Sequence, residues 1–350
     1  MRKTWRMVLL VHALITSSIS HSSKHPRIYY GGARRGNIGG PLVKIKRLTK
    51  YFPERYLNYN IVYILSNAPY LPLTALKVLK KKKVPIILNQ NGVYYEGWYE
   101  GNWRKQNIIL SHPYLNADYI FWQSNFCKKA AETFLGISDS EGEILFNAVD
   151  TDRFTPNKKE STGKTFNFLI TGKISKHHNY RITSVLHAVS IAIRQFASIQ
   201  LNIAGWIEDE LTIRSLIEEL GISHKVKLYG KYSQEEAPYI YQQSDAYITM
   251  TYQDNCPSCV IEAMASGLPV IYSASGGIPE IVDSFSGIGI PVKKSWEKVY
   301  CPSSDLIAES MLKIIDKRNE MSNSARSRAE KIFDIKDWIK RHNEVFSQLL

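Results

Sequence analysis

Short apolar runs and longer stretches of helical periodicity take turns along almost the whole chain. Runs at 27–30, 61–65, 84–88, 119–122 and 143–146 are mostly apolar and too short for helices, so they read as strands. Between them, at 42–51, 71–81, 103–115 and 125–135, apolar residues return every three or four positions, as on one face of a helix. Beyond a polar stretch at 155–164 the alternation restarts. Strands are predicted at 166–170, 199–203, 226–229, 246–249 and 269–272, helices at 180–195, 209–220, 237–243 and 260–265, and a last helix at 335–350. Strands that are apolar throughout are buried on both faces, and strands alternating with helices predict parallel sheets with helices over them. Two such series predict an α/β protein of two doubly wound units, 27–160 and 161–334, preceded by a basic and apolar extension at 1–26.

A chain of 350 residues is longer than one core usually fills, in keeping with two domains. Charge is the one departure from ordinary composition. A formal net charge of +13 suits nucleic acid, an anionic membrane surface or a polyanionic small substrate. No run singles out nucleic acid. The densest cluster, Lys80 to Lys83, reads either as a solvated helix end or as a membrane-facing patch. Cys127, Cys256, Cys259 and Cys301 are few and scattered, which fits a reducing compartment. Cys256-Pro-Ser-Cys259 spells a redox dithiol, but lacks the thioredoxin-like strand that such a motif follows. Residues 1–24 order basic, apolar and small polar positions as a secretory leader does. Their apolar run is too short for a membrane span of about 20 residues, and His12 interrupts it. A cleaved leader, a peripheral anchor and a disordered extension are the three readings.

The chemistry concentrates in Asp254-Asn-Cys-Pro-Ser-Cys-Val-Ile-Glu262, which continues Ala-Met-Ala-Ser-Gly267-Leu-Pro269-Val-Ile and is followed by Ser275-Gly-Gly-Ile-Pro279-Glu280. Two carboxylates eight positions apart flank a loop broken by Pro257; a helix of small residues follows, and Gly267 stops it ahead of a buried strand. A carboxylate repels a phosphate but accepts hydrogen bonds from sugar hydroxyls, while the first amides of a helix receive a phosphate or hydroxyl oxygen. Together they suit a nucleotide-sugar. Upstream, Thr171-Gly172-Lys173-Ile-Ser-Lys176-His177-His178 leaves a strand with cations suited to a diphosphate, or forms only a basic turn. Gly31-Gly-Ala-Arg-Arg-Gly36-Asn-Ile-Gly39-Gly40-Pro41 joins the first strand to the first helix. It is not the dinucleotide fingerprint, because its glycine spacing differs and no acid closes the next strand. Gly39 and Gly40 let a diphosphate approach backbone amides, or only turn the chain. Asp150-Thr-Asp152 spells the metal-holding D-x-D pattern, but at the end of a domain beside a polar linker, which is the wrong setting for one.

In these residues the chain resembles the donor-binding segment of retaining glycosyltransferases of the GT-B architecture, above all the large family 4. That family's pattern is Glu, seven residues, Glu, a small-residue helix and Gly-x-Pro-Val-Ile; Asp254 stands in the place of the first Glu, shorter and with the same charge. The likeness runs over residues 27 to 350 and is strongest from 160 to 285. It implies two doubly wound Rossmann-like domains facing each other across a donor cleft: an acceptor-side domain at 27–160, on which the helix at 335–350 packs back, and a nucleotide-sugar-binding domain at 161–334. The implied activity is retaining transfer, without metal or cofactor, of a hexose-type sugar from a UDP- or GDP-sugar to a hydroxyl of a glycan or of a lipid-linked or surface-polysaccharide precursor.

By place in the pattern, Glu262 binds the ribose hydroxyls, Asp254 contacts the transferred sugar near its reacting carbon, and Pro257, Ser258 and Cys259 present backbone amides to the sugar. Gly172 and Lys173 stand where the family has Gly-Arg, and His178 where it has a following Lys, with Lys176 as the alternative. These cations would neutralise the diphosphate as the glycosidic bond breaks. Lys173 keeps the charge and loses the guanidinium fork, whereas His178 makes its charge depend on pH. The catalytic candidates are therefore Asp254, Lys173 and Glu262; the donor-binding set adds Gly39, Gly40, Gly172, His178, Pro257, Ser258 and Cys259. The loop after strand 84–88 offers Asn91, Tyr94, Tyr95 and Trp98 for acceptor binding, with aromatic faces for sugar C–H faces and the amide for hydroxyls, or is an aromatic loop packed between domains. The His that the family carries there is missing, and His112 lies too far along. A cytosolic donor pool favours the anchor or the extension for 1–26, hence a cytoplasmic protein, with peripheral contact at the inner face of the membrane as an option and no nucleic-acid partner. Departures at 173, 178 and 254 leave a second reading, a degenerate GT-B sugar- or nucleotide-binding protein without transfer activity.

Overall fold

The computed structural model describes residues 2–16, 25–33, 36, 40–157 and 165–350. Two compact units divide the chain: Met1–Phe146 with Trp296–Lys298 and Lys336–Leu350, and Asn147–Ser295 with Val299–Ile335. The N-terminal unit runs α1 (Arg2–Thr16), β1 (Ile28–Tyr29), α2 (Gly40–Tyr51), β2 (Ile61–Leu65), α3 (Leu73–Lys81), β3 (Ile86–Gln90), α4 (Trp103–Tyr114), β4 (Tyr119–Trp122), α5 (Asn125–Leu135) and β5 (Glu141–Ile144). All five strands pair in parallel, side by side in chain order. Every residue of β2, β3 and β4 is buried, as strands covered on both faces must be. Strand β3 begins at Ile86 instead of residue 84, because Pro85 has no N–H for the ladder and gives only its carbonyl, to the Val62 amide at 2.9 Å. Expected as an extension outside the domain, α1 instead lies on α3. Its periodicity puts Leu9, Ala13 and Thr16 on one face; the first two are buried in the core, and Thr16 Oγ1 lies 2.8 Å from Tyr59 Oη. No helix among the described residues is long and apolar enough to cross a membrane.

The C-terminal unit continues with β6 (Phe166–Ile174), α6 (Tyr180–Ala192), β7 (Ile199–Ile207), α7 (Glu210–Glu219), β8 (Val226–Gly230), α8 (Ala237–Gln242), β9 (Ala246–Thr249), α9 (Ser258–Ala265), β10 (Val270–Ala274), α10 (Ile278–Ile281), β11 (Gly287–Pro291) and α11 (Ser304–Ile332). Its six parallel strands stand in the order β11-β10-β9-β6-β7-β8. The order therefore reverses between β6 and β9. Strands β6 and β7 run in register past their apolar stretches, with Gly172 opposite Gly205. A methyl group on Gly205 would lie 1.9 Å from Gly172 O, so only glycine continues the ladder there. Elements β11 and α11 were not anticipated. In β11 the residues Gly-Ile-Gly-Ile-Pro carry weak strand propensity, and α11 meets the core through Ile307, Met311, Ile314, Met321, Ala325 and Ala329 amid a polar surface.

Helix α12 (Ile335–Gln348) closes the chain, and its residues from Lys336 on belong to the N-terminal unit. There His342 and Phe346 pack on Tyr63 of β2, and His342 on Phe121 of β4, with ring centroids 4.6 to 6.0 Å apart. His342 Nδ1 lies 2.8 Å from Trp338 O and Nε2 lies 2.9 Å from Tyr63 Oη, so the ring N–H goes to the carbonyl and Nε2 accepts from the phenol. Burial, helped by the charge of Lys44, holds this imidazole down at about 3, against 6.5 ordinarily. The unfolded chain takes up that proton below pH 6.5 and the folded chain only near 3, so stability falls as acid is added across this window. Denaturant unfolding should lose about 2 kcal/mol between pH 6.5 and 5 from this group. His342→Gln, which cannot titrate, should flatten the slope by that amount; an unchanged slope would assign the acid sensitivity elsewhere.

Candidate functional site

Open α/β sheets bind ligands beyond the carboxyl ends of their strands, where the strand order reverses. In the C-terminal unit that place lies past β6 and β9. After β9 the chain turns through Gln253, at a φ of +52°, into Asp254. The Gln253 amide donates to Ser275 Oγ at 3.0 Å, and the Gly277 amide to Asp254 O at 2.7 Å. Between those contacts sits Gly276, at a φ of +68°, where a methyl group would lie 2.4 Å from Asp254 O. Ser275-Gly-Gly, only a follower of the acidic motif in the sequence, thus clamps the acidic loop.

Asp254 is half-buried, and its Oδ1 accepts from the Cys256 amide at 3.2 Å. Burial raises its carboxyl above the usual value, outweighing the Arg181 charge and the amides of Cys256 and Asn255. Pro257 follows as the N-cap of α9, whose first amides belong to Ser258 and Cys259. The helix stops as its sequence predicts: Gly267, at a φ of +73°, donates to Met264 O and Leu268 to Ala263 O, each at 2.9 Å. One turn into α9, Glu262 Oε2 accepts from Tyr241 Oη at 3.1 Å. The two cysteines of the loop serve structure. The Asn147 amide donates to Cys256 Sγ at 3.2 Å, and burial pushes the Cys259 thiol up to about 12, with Asp254 and Glu262 adding to the rise, so Cys259 does not offer the ready thiolate of a redox dithiol. Asp150 Oδ1 accepts from the Arg153 amide at 3.2 Å and caps a turn.

At the end of β6, the strand beside β9, Lys173 is exposed, with its ammonium 4.9 Å from the centre of the Trp206 ring. His178 closes a 3-10 turn, Nδ1 3.0 Å from Ser175 Oγ and its ring 3.8 Å from that of His177. Burial, then Arg181, then His177 hold its imidazole down at about 3. The expectation of a pH-dependent second cation is thereby corrected: His178 is neutral throughout the physiological range. Arg181, in the first turn of α6, acts electrostatically on both His178 and Asp254. Arg181 was missed because it lies three positions past the family's Lys. A basic residue in a helix's first turn, against the helix dipole, was the available signal.

In the N-terminal unit Gly40 opens α2, whereas Gly39 lies outside the described residues. Asn91 joins a polar cluster at the carboxyl ends of β2, β3 and β4. Its amide N–H donates to Ser66 Oγ at 2.8 Å and its Nδ2 to Asn67 Oδ1 at 2.7 Å, while its Oδ1 accepts from Lys44 Nζ at 3.0 Å and from Gln123 Nε2. Lys44, Asn67 and Gln123 escaped notice because they lie far apart in sequence. The aromatic residues of the neighbouring loop go elsewhere: Tyr95 is buried with its ring 4.8 Å from Trp296, and Tyr94 and Trp98 are half-buried against the same core. The expectation of Tyr95 as an acceptor contact is corrected, because its surface is already used in packing.

The family model "Glycosyl transferases group 1" matches residues 152–331, just over half of the chain, with Lys173, His178, Arg181, Asp254 and Glu262 inside the match. The chain belongs to this family. Among curated relatives, D-inositol 3-phosphate glycosyltransferase of Mycolicibacterium smegmatis is 29% identical over 154 residues, 41% of this chain and 35% of that protein. The GPI3 subunit of phosphatidylinositol N-acetylglucosaminyltransferase from Saccharomyces cerevisiae is 21% identical over 252 residues, 69% of this chain and 53% of that protein. The chain spans about a third to a half of the length of these relatives. Among solved structures, Anabaena HepE in complex with UDP superposes with a TM-score of 0.69 at 15% identity, over 88% of this chain and 82% of that one. Sucrose-phosphate synthase of Thermosynechococcus elongatus does so with a TM-score of 0.65 at 14% identity, over 87% and 76%. These likenesses are of fold, and the fold is GT-B.

The clamp on Asp254 is open to a direct test. Gly221 and Gly276 share nearly the same φ, +66° and +68°, but nothing lies within 4 Å of a methyl group on Gly221. Gly221→Ala should cost about 1 kcal/mol in denaturant unfolding, for backbone strain alone. Gly276→Ala should cost at least twice that, since the Asp254 loop must shift; equal costs would mean that the loop is not held there.

Proposed function

We propose that the chain is a metal-independent, retaining hexosyltransferase that takes its sugar from a UDP- or GDP-linked donor and passes it to a hydroxyl of a glycan or of a lipid-linked or surface-polysaccharide precursor. The observation that carries this reading is a helix start with two carboxylates, α9 with Asp254 and Glu262, past the reversal point of one parallel sheet, with Lys173 on β6, the strand beside β9, and Arg181 acting electrostatically on Asp254. Complexes of Anabaena HepE with UDP and with UDP-glucose support a UDP-linked donor. In this reading Glu262 takes the ribose hydroxyls, the amides of Ser258 and Cys259 take sugar oxygens, and Asp254 faces the reacting carbon. Lys173 and Arg181 stabilise the diphosphate as it leaves, when its negative charge is greatest. Neither carboxylate is assigned as a covalent nucleophile; a donor phosphate oxygen takes the acceptor's proton on the face from which the diphosphate departs. Acceptor recognition is assigned to the polar cluster around Asn91. Peripheral contact with an anionic membrane gains support from the exposed Lys80 to Lys83 and from α1, whose Met7, Val8, Val11, Leu14 and Ile15 are exposed.

Nucleotide release from a panel of UDP- and GDP-sugars tests the reading. Glu262→Ala should weaken donor binding about 10- to 100-fold, the loss of one or two charge-assisted hydrogen bonds. Arg181→Ala should lower kcat about 100-fold, and His178→Asn less than tenfold, with no ionisation near pH 6.5 in the wild-type rate profile attributable to His178. Nucleotide binding without turnover of any donor would favour the degenerate, binding-only reading.

A further inference from the structure

Beneath Glu262 lies a chain of buried hydroxyls that no step above uses. Tyr241 on α8 and Tyr247 on β9 are 0% and 1% exposed, and Thr171 on β6 is 7% exposed. Tyr247 Oη lies 3.0 Å from Thr171 Oγ1, Thr171 Oγ1 lies 3.2 Å from Tyr241 Oη, and Tyr241 Oη lies 3.1 Å from Glu262 Oε2. Proton count sets the direction at its end. A carboxylate only accepts, so the single hydrogen of Tyr241 goes to Glu262 and the Tyr241 oxygen is left to accept, with Thr171 Oγ1 in reach; the Tyr247 hydroxyl also reaches the Thr171 carbonyl oxygen, at 3.4 Å. Burial raises both phenols well above their ordinary value, so each keeps its proton at any working pH. The Phe154 ring, 5.7 Å from that of Tyr241 at 71°, packs against this phenol and helps fix its position.

We propose that Tyr241 is a positioning residue, which through the Tyr247–Thr171–Tyr241 chain fixes the plane in which Glu262 presents its carboxylate to the vicinal diol of a nucleotide ribose. The inference rests on the reading of Glu262 as the ribose contact. It adds a link between the two halves of the donor site: Thr171 directly precedes Gly172 and Lys173, so the carboxylate on α9 is tied to the strand end that bears the cation. A rotating carboxylate would meet one ribose hydroxyl at a time, whereas one held at Oε2 meets both in a single orientation.

Calorimetric titration with UDP, GDP and their 2′-deoxy counterparts decides the matter. Wild-type protein should prefer the ribose form of whichever nucleotide it binds. Tyr241→Phe, which removes one oxygen and keeps the ring, should cut that preference about fivefold, the value of one hydrogen bond, while affinity for the deoxy form changes less than twofold. Donor KM should rise with kcat within twofold. Thr171→Val breaks the next link and leaves both phenols in place; it should shift the preference the same way by a smaller factor. An unchanged preference in Tyr241→Phe, or equal weakening of both nucleotide forms as simple loss of packing would give, overturns the proposal, and the reading of Glu262 survives if Glu262→Ala abolishes the preference. If Glu262→Ala leaves the preference intact, the ribose reading fails and the positioning role falls with it.

Discussion

The hydrogen bond from the Gly277 amide to Asp254 O, at 2.7 Å, governs the acidic loop of the C-terminal unit. A strand that leaves a parallel sheet needs something outside itself to set its direction, because its ladder partners end with the sheet. Here the chain leaving β9 is held by the chain leaving β10, through Ser275 Oγ, the Gly277 amide and the empty space where Gly276 has no side chain. The direction of Asp254 follows, and with it the point where Pro257 can start α9. Because α9 starts there, Glu262 faces Tyr241, and the buried hydroxyl chain beneath it gains an acceptor at its end.

Burial then decides which groups carry charge. Two nitrogen bases behave differently when partly desolvated: imidazole gives up its proton and guanidinium does not. His178 illustrates the first outcome, and the charge of Arg181, three positions on, helps to keep it neutral. The same guanidinium opposes the effect of burial on Asp254. Cys259, among acids and buried, stays a thiol.

The N-terminal unit is organised around a different constraint. Its five strands stand in chain order, and the face that presents Tyr63 and Phe121 is closed by α12 from the far end of the chain. The neutral His342 at that seam satisfies two buried polar partners at once, a helix carbonyl and a phenol, in an otherwise aromatic environment. Packing also takes Tyr95 out of the loop beyond β3, which leaves the polar groups at the strand ends, Asn91 with Lys44, Gln123 and Asn67, as the recognisable chemistry of this unit.

Much of this was legible in the chain alone, for a local reason. Strands β2 and β4 and helix α5 coincide with their apolar patterns, and α9 stops at Gly267, because period, propensity and a left-handed glycine act within a few residues of one another. The spacing of Asp254 and Glu262, with the Gly-Leu-Pro-Val-Ile that follows, was likewise enough to point to the family. Other features depended on neighbours distant in sequence. Strands β6 and β7 extend because Gly205 meets Gly172, α1 is buried because the face with Leu9 and Ala13 finds α3, and α11 exists through packing that its polar composition hides. The charge of His178, the role of Arg181 and the contact of Tyr241 with Glu262 belong to the same class. Desolvation and hydrogen bonding are properties of a surrounding volume, and only the folded chain determines which residues fill it.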